Sequence, residues 1–192
     1  MNVNALKLHI VIGSTRPGRA GLPIATWFHG LAQAHRMFET RLVDLAEINL
    51  PFLDEPNHPN LRKYTKDHTK AWSSTVDAAD AFVFITPEYN HGPSPVLLNA
   101  LDFVYHEWGY KPVGFVSYGG PAGGTRAVQI LKPIVGAMHM VPVVEGVPIP
   151  FFRQHFTDGV FKATEAHEKN AAGMLAALLR WAETLQGMRQ RR

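Results

Sequence analysis

The chain has 192 residues, is 46% hydrophobic and 18% charged, carries a formal net charge of +3 and contains no cysteine. That length suits one domain, 1–192, with a sizeable core, and the missing cysteine excludes disulfides, iron–sulfur clusters and thiol catalysis. No apolar run approaches the ~18 residues of a membrane span, the amino terminus lacks a basic segment and an apolar signal core, and the basic residues are spread out, so a cytoplasmic protein that binds neither nucleic acid nor membrane is expected.

Residues 6–12 are an apolar run that predicts a buried strand. The loop Gly13-Ser14-Thr15-Arg16-Pro17-Gly18-Arg19-Ala20 follows, and then residues 21–37, where Ile24, Trp27, Phe28 and Leu31 recur at helical spacing. A strand, a loop of small and hydroxylic residues and a helix together make an anion site, because unpaired N–H groups and the helix dipole both favour negative charge there. Ser14 and Thr15 add hydroxyl donors, and Arg16 and Arg19 add forked cationic donors suited to phosphate oxygens. Gly13 and Gly18 have the spacing of a Walker A loop, but Arg19 and Ala20 stand where its lysine and magnesium-holding hydroxyl belong. Ser14-Thr15-Arg16 crowds the close backbone approach that a dinucleotide pyrophosphate needs. A single monophosphate fits this loop best.

Residues 40–45 predict a second strand, with polar Thr40, Arg41 and Asp44 suiting a sheet edge; 48–59 is a loop punctuated by Pro51, Pro56 and Pro59. A helix is expected over 65–79 and a strand buried on both faces over 81–86. Residues 95–108 predict a helix that is apolar nearly all round, with Leu97, Leu98, Leu101, Phe103, Val104, Tyr105 and Trp108. That surplus predicts burial against a second subunit, with Trp108 exposed in the single chain. Residues 113–117 read as a buried strand, 125–138 as a helix kinked by Pro133, and 141–144 as a strand that Pro142 places at an edge. Residues 145–158 read as irregular, 164–188 as a closing helix, and 189–192 as a solvated, frayed tail.

Strict alternation of strand and helix, with right-handed crossovers, gives an α/β fold: a five-stranded parallel sheet of order 2-1-3-4-5 covered by helices on both faces. Ligands then sit beyond the carboxyl ends of the strands, so the loops after strands one, three and four should carry the chemistry. The loop after strand three, Pro87-Glu88-Tyr89-Asn90-His91-Gly92-Pro93-Ser94-Pro95, is stiffened by proline and offers ordered backbone groups, an aromatic face at Tyr89 and a donor–acceptor at Asn90. Those features suit the edge of a flavin ring, although a proline-rich turn explains them equally well. The loop after strand four, Ser117-Tyr118-Gly119-Gly120-Pro121-Ala122-Gly123-Gly124, permits close backbone approach, and its N–H groups suit the negative edge of a reduced flavin.

Taken together, these loops, the run Leu98-Asn99-Ala100-Leu101-Asp102, Lys111-Pro112-Val113 and the segment Leu50-Pro51-Phe52-Leu53-Asp54-Glu55-Pro56 resemble the NADPH-dependent FMN reductase family of flavodoxin-like proteins over about residues 6–145. The resemblance implies non-covalent FMN, with NAD(P)H as cosubstrate and a homodimer or homotetramer as the assembly. By position it assigns the phosphate loop, Ser14, Thr15, Arg16 and Arg19, to the FMN phosphate. It sets Pro87, Glu88, Tyr89 and Asn90 along the ring, and Ser117, Tyr118 and Gly119 at the other ring edge and ribityl chain. Two departures touch the substrate pocket and the assembly: Leu98 replaces a frequent lysine, and His91-Gly92-Pro93-Ser94-Pro95 replaces the usual residues before the helix.

Ten histidines include no metal-binding pair with a carboxylate at the required spacing, and no Gly-x-Ser-x-Gly elbow is present. Trp108 and Tyr110 are expected close to the ring site, as core or interface residues. The reading is an FMN-dependent NAD(P)H oxidoreductase passing hydride through FMN to a quinone, free flavin or similar small acceptor, with no catalytic side chain assigned. The alternative is a flavodoxin-like FMN-binding electron carrier or redox sensor.

Overall fold

The computed structural model describes residues 5–190. Its main sheet runs β2 (Glu39–Asp44), β1 (Lys7–Ile12), β3 (Ala81–Pro87), β4 (Pro112–Tyr118) and β5 (Val141–Ile149), every pair parallel, which is the expected 2-1-3-4-5 order. Every residue of β3 and β4 is buried, so these continuous apolar runs form the middle of the sandwich. On one face, α1 (Gly21–His35) and α6 (Glu165–Arg189) pack Ile24, Phe28, Met174 and Leu178 against Ile10, Val83 and Val116. On the other, α3 (Asp67–Asp77), α4 (Pro95–Asp102) and α5 (Thr125–Ala137) pack Trp72, Leu101 and Leu131 against Val11, Phe84 and Phe115. Each such fully buried large side chain contributes about 1.5–3 kcal/mol.

Several elements differ from the sequence reading. The helix expected over 95–108 stops at Asp102, and a separate 3-10 turn covers His106–Trp108. Two indoles cap it. Trp72 Nε1 donates to the Ala100 carbonyl (2.8 Å) and Trp108 Nε1 to the Leu101 carbonyl (3.1 Å), so carbonyls that a longer helix would satisfy internally are already taken. Leu97, Leu101, Phe103, Val104 and Trp108 are all buried within this one chain. Most of the apolar surplus is therefore absorbed by the fold itself, while Leu98 and Tyr105 stay half-buried. Trp108 is 1% exposed and is no surface position.

The last strand continues to Ile149, through residues expected to be irregular, because residues 146–149 pair in register with β4 beyond a shift between Val113 and Phe115. A one-turn α2 (Leu45–Ile48) follows β2, started by Asp44 Oδ1, which accepts from Ala46 N–H (3.0 Å). After β5, a 3-10 turn at Phe152–His155 leads into a small antiparallel hairpin, β6 (Phe156–Thr157) and β7 (Val160–Phe161). The tail expected to fray is anchored at its start: Arg189 donates to Asp80 Oδ1 (3.0 Å) and to the Ala182 and Tyr110 carbonyls, Gln190 N–H donates to the Gln186 carbonyl (3.2 Å), and 191–192 lie outside the described residues.

The proline-punctuated loop is held at two points. Glu55 accepts from the Thr65 and Lys66 N–H groups (2.8 Å each) ahead of α3; desolvation opposes its ionisation, but those backbone donors win and hold the carboxyl down to about 2. Asn99 of α4 accepts from Leu53 N–H (3.1 Å) and donates to the Pro51 carbonyl (2.7 Å), while Phe52 between them is 87% exposed.

His9 on β1 is a buried histidine 3% exposed, edge-on to Phe82 at 6.1 Å. Burial, with Arg41 and Lys111 adding to it, lowers its pKa to about 4. The unfolded chain therefore takes up this proton first. The stability that neutral His9 contributes is fully present above pH ~6.5 and is lost as pH falls toward 4, a loss on the order of 2 kcal/mol. Urea unfolding at pH 7 and pH 4.5 should show a smaller acid loss in His9→Leu than in the parent; an unchanged acid loss would place the titration elsewhere.

Candidate functional site

A cleft of about 530 Å³ opens where the carboxyl ends of β1, β3 and β4 meet the start of α1. Arg16 and Arg19 of the first loop, Pro87, Glu88 and Tyr89 of the second, and Tyr118 and Gly119 of the third all line it. Residues from three loops far apart in sequence thus share one wall system, as the sheet order requires.

The phosphate loop is assembled around one buried contact. Tyr118 OH donates to Ser14 Oγ (3.1 Å), and Ser14 is 1% exposed. Burial pushes the Tyr118 hydroxyl up to about 12, against the opposing pull of the Ser14 bond and of Arg19 and Arg16, so it stays protonated as a donor. The first residue of α1, Gly21, must lack a side chain: a Cβ there would collide with Ser14 Oγ and stand 2.9 Å from the Tyr118 oxygen. Helix α1 has no side-chain cap and no acid in its first turn. The backbone N–H groups of Ser14, Thr15 and Arg16 take no acceptor among the described residues. These are open donors beside a positive helix end.

The two arginines of this loop differ. Arg19 donates to the Ser14 carbonyl (2.7 Å) and pairs with Asp44 at the end of β2. Its charge is spent in bracing the loop. Arg16 is exposed, lines the cleft and has no ion-pair partner among the described residues.

Opposite, Tyr89 and Gly92 exchange both backbone hydrogen bonds (2.9 Å each), and Asn90 and His91 between them have φ of 50° and 67°. This is a tight two-residue turn with both central residues left-handed. Glu88 is held against α5: Oε1 accepts from Arg126 Nη1 (2.7 Å) and Oε2 from Arg126 N–H (3.2 Å). The carboxylate therefore fastens the loop to a helix and does not reach for a ligand.

Not every expected residue lines the cleft. Asn90 is exposed at the tip of its turn, Thr15 is exposed on its loop, and Ser14 lies beneath the wall. Ser117 Oγ donates to the Gly123 carbonyl (2.8 Å), and the residue faces a different cavity, between α5 and β5. Trp108 and Tyr110 precede β4 and lie at the opposite end of the sheet, so the expectation that they neighbour the ring site is corrected. Phe152, Arg153, Phe156 and Gly159 line the cleft and were missed. The signal available was a cluster of aromatic residues with one arginine inside a stretch without periodicity.

The sequence model of the NADPH-dependent FMN reductase family matches residues 6–154. The chain belongs to that family. Among its relatives in this FMN reductase family, an NAD(P)H-dependent FMN reductase of Schizosaccharomyces pombe is 41% identical over 158 residues, covering 80% of this chain and 78% of that one. A second, from Saccharomyces cerevisiae, is 30% identical over 187 residues, covering 91% and 97%. More distant relatives are named azoreductases and quinone reductases. Among solved structures, the flavoenzyme NAD(P)H:(acceptor) oxidoreductase FerB of Paracoccus denitrificans has the same fold, with a TM-score of 0.73 at 21% identity over 93% of this chain and 98% of that one. The chain is thus an oxidoreductase that uses FMN and NAD(P)H. The residues present fit that cofactor. A phosphomonoester matches the open N–H groups and free Arg16 at the uncapped helix, and Tyr89 with the adjoining backbone offers a flat aromatic border.

Proposed function

We propose that the cleft between the first, third and fourth strand ends holds FMN, with its phosphate at the start of α1 and its ring beside the turn at Tyr89. The observation that carries this is the junction of an uncapped helix start, an unpaired Arg16 and an aromatic turn in one cleft. When bound, FMN supplies the redox chemistry, accepting hydride from NAD(P)H and delivering two electrons to an acceptor. The chain's own residues bind and orient. The open backbone N–H groups of Ser14 and Thr15, together with Arg16, take the phosphate. Arg19, tied to Asp44, holds the loop's shape so that its N–H groups converge. The protonated Tyr118 hydroxyl keeps Ser14 in place from below. Pro87, Glu88 and Tyr89 border the ring, with Asn90 at the tip of the same turn, from a loop that the Glu88–Arg126 pair prevents from shifting. Gly119 borders its other edge, and Ser117 shapes that loop through Gly123.

The acceptor in this reading is a small oxidant such as a quinone or a free flavin, as the names of several relatives suggest. The NAD(P)H cosubstrate favours a cytoplasmic enzyme; among the described residues no helix is long and apolar enough to cross a membrane. Assembly as a homodimer or homotetramer is supported by exposed Phe52, on a loop that Asn99 ties to the helix leaving the ring turn.

Arg16→Ala should weaken FMN binding by about 1.5–3 kcal/mol, the value of a hydrogen bond to a charged group. Riboflavin, which lacks the phosphate, should bind the parent and the variant equally. Calorimetric titration of the apo-protein checks both; equal FMN affinities would remove the phosphate from this loop.

A further inference from the structure

We infer that Arg153, on the segment between β5 and α6, is a second binding residue for the flavin phosphate; the inference rests on the FMN reading above. A phosphomonoester carries a charge of about −1.5 to −2 at pH 7. The guanidinium groups that line the cleft, Arg16, Arg19 and Arg153, and Arg126 behind Glu88 are not equal in their capacity to answer it. Arg19 is neutralised by Asp44, and Arg126 by Glu88. Glu88 is the single carboxylate among the lining residues, and it is spent on that pair. Arg16 and Arg153 remain, both lining the cleft and neither ion-paired among the described residues. One uncompensated cation leaves a dianion half neutralised; two match it.

The placement of Arg153 agrees with this. Its guanidinium carbon lies 5.9 Å over the Phe152 ring, and the Phe152 ring lies 5.3 Å from that of Tyr118. Tyr118 in turn bonds Ser14, so a chain of contacts joins Arg153 to the floor of the phosphate loop. The backbone beneath it is anchored: Phe151 N–H donates to the Gly120 carbonyl (2.9 Å) and Phe152 N–H to the Gly119 carbonyl (3.3 Å). The side chain itself is exposed. A long, forked cation on a fixed stem can close over an arriving phosphate without moving the fold. Arg16 lines the cleft from the loop after β1 and Arg153 from the segment after β5, so two separate segments each bring one cation without an ion pair to it.

The test uses the full-length apo-protein with FMN and riboflavin, followed by flavin fluorescence, and Arg153→Gln, Arg153→Lys and Arg16→Ala variants. Arg153→Gln should weaken FMN about 10- to 100-fold and leave riboflavin unchanged, with part of the loss restored in Arg153→Lys. Phosphorus NMR of bound FMN supplies a readout that a structural role would not move. Two cations should keep the phosphate dianionic to lower pH than in free FMN, whose second pKa is about 6, and Arg153→Gln should raise that titration. Unchanged FMN affinity in Arg153→Gln beside a loss in Arg16→Ala overturns the inference and leaves the cofactor reading standing. So does a raised KM for NADPH but not NADH with FMN binding intact, which would assign Arg153 to the nicotinamide nucleotide. A parent protein that binds riboflavin as tightly as FMN defeats the phosphate reading itself.

Discussion

Replacing Trp108 by alanine should cost about 3–5 kcal/mol of stability, the range for removing a large buried aromatic side chain. The indole is packed 4.9 Å from Phe82 and 6.0 Å from both Trp72 and Phe84, ring centre to ring centre. Its N–H also closes α4 at Leu101, so the substitution leaves both a cavity and a buried carbonyl without its donor. Trp108→Glu should be worse, because a carboxylate would replace an apolar ring in that cluster. Urea unfolding monitored by far-UV circular dichroism measures the loss. Flavin affinity per folded molecule should be unchanged, since Trp108 lies at the far end of the sheet from the cleft. A variant of parental stability that merely dissociates in sedimentation would show the indole to be an intersubunit group after all.

Gly124→Ala should be comparably damaging, about 3 kcal/mol or more, through backbone conformation and collision together. Gly124 precedes α5 at a φ of +83°, where a side chain is strained. A Cβ there would stand 2.7 Å from the Tyr118 nitrogen and 2.7 Å from Ser117 Cβ, and neither is the flexible end of a side chain. Relief would have to come from moving the end of β4, which carries Tyr118 and hence Ser14. Gly124→Ala should therefore lower thermal stability and FMN affinity together. Gly120→Ala in the same loop, where a Cβ meets nothing within 4 Å, should be close to neutral. Equal melting temperatures for the two variants would disprove the steric account.

The sheet was readable from the sequence because each central strand is a continuous apolar run bounded by loop residues, and that pattern depends on no distant partner. The end of α4 was not readable. It depends on indoles from Trp72 and Trp108 reaching carbonyls 28 and 7 residues away, while the apolar pattern continues past the stop. The same distinction divides the cleft. The open loop, the helix start and the turn at Tyr89 are local features. That Arg19 is consumed by Asp44, 25 residues on, and that Arg153 comes in over Phe152, are tertiary facts. Local composition made Arg16 and Arg19 look alike; packing makes them different.

The borders of the sheet bear on how copies of the chain can meet. A bare outer strand is a template for another strand and a route to aggregation. Here β5 carries Pro142 and Pro148, which have no N–H to offer, and a register shift that interrupts a straight pairing surface. The opposite border, β2, presents exposed Glu39 and Arg41. Both margins are thereby blunted against strand addition, so any ordered contact between copies is left to helices and loops, and growth into a continuous intermolecular sheet is disfavoured from either side.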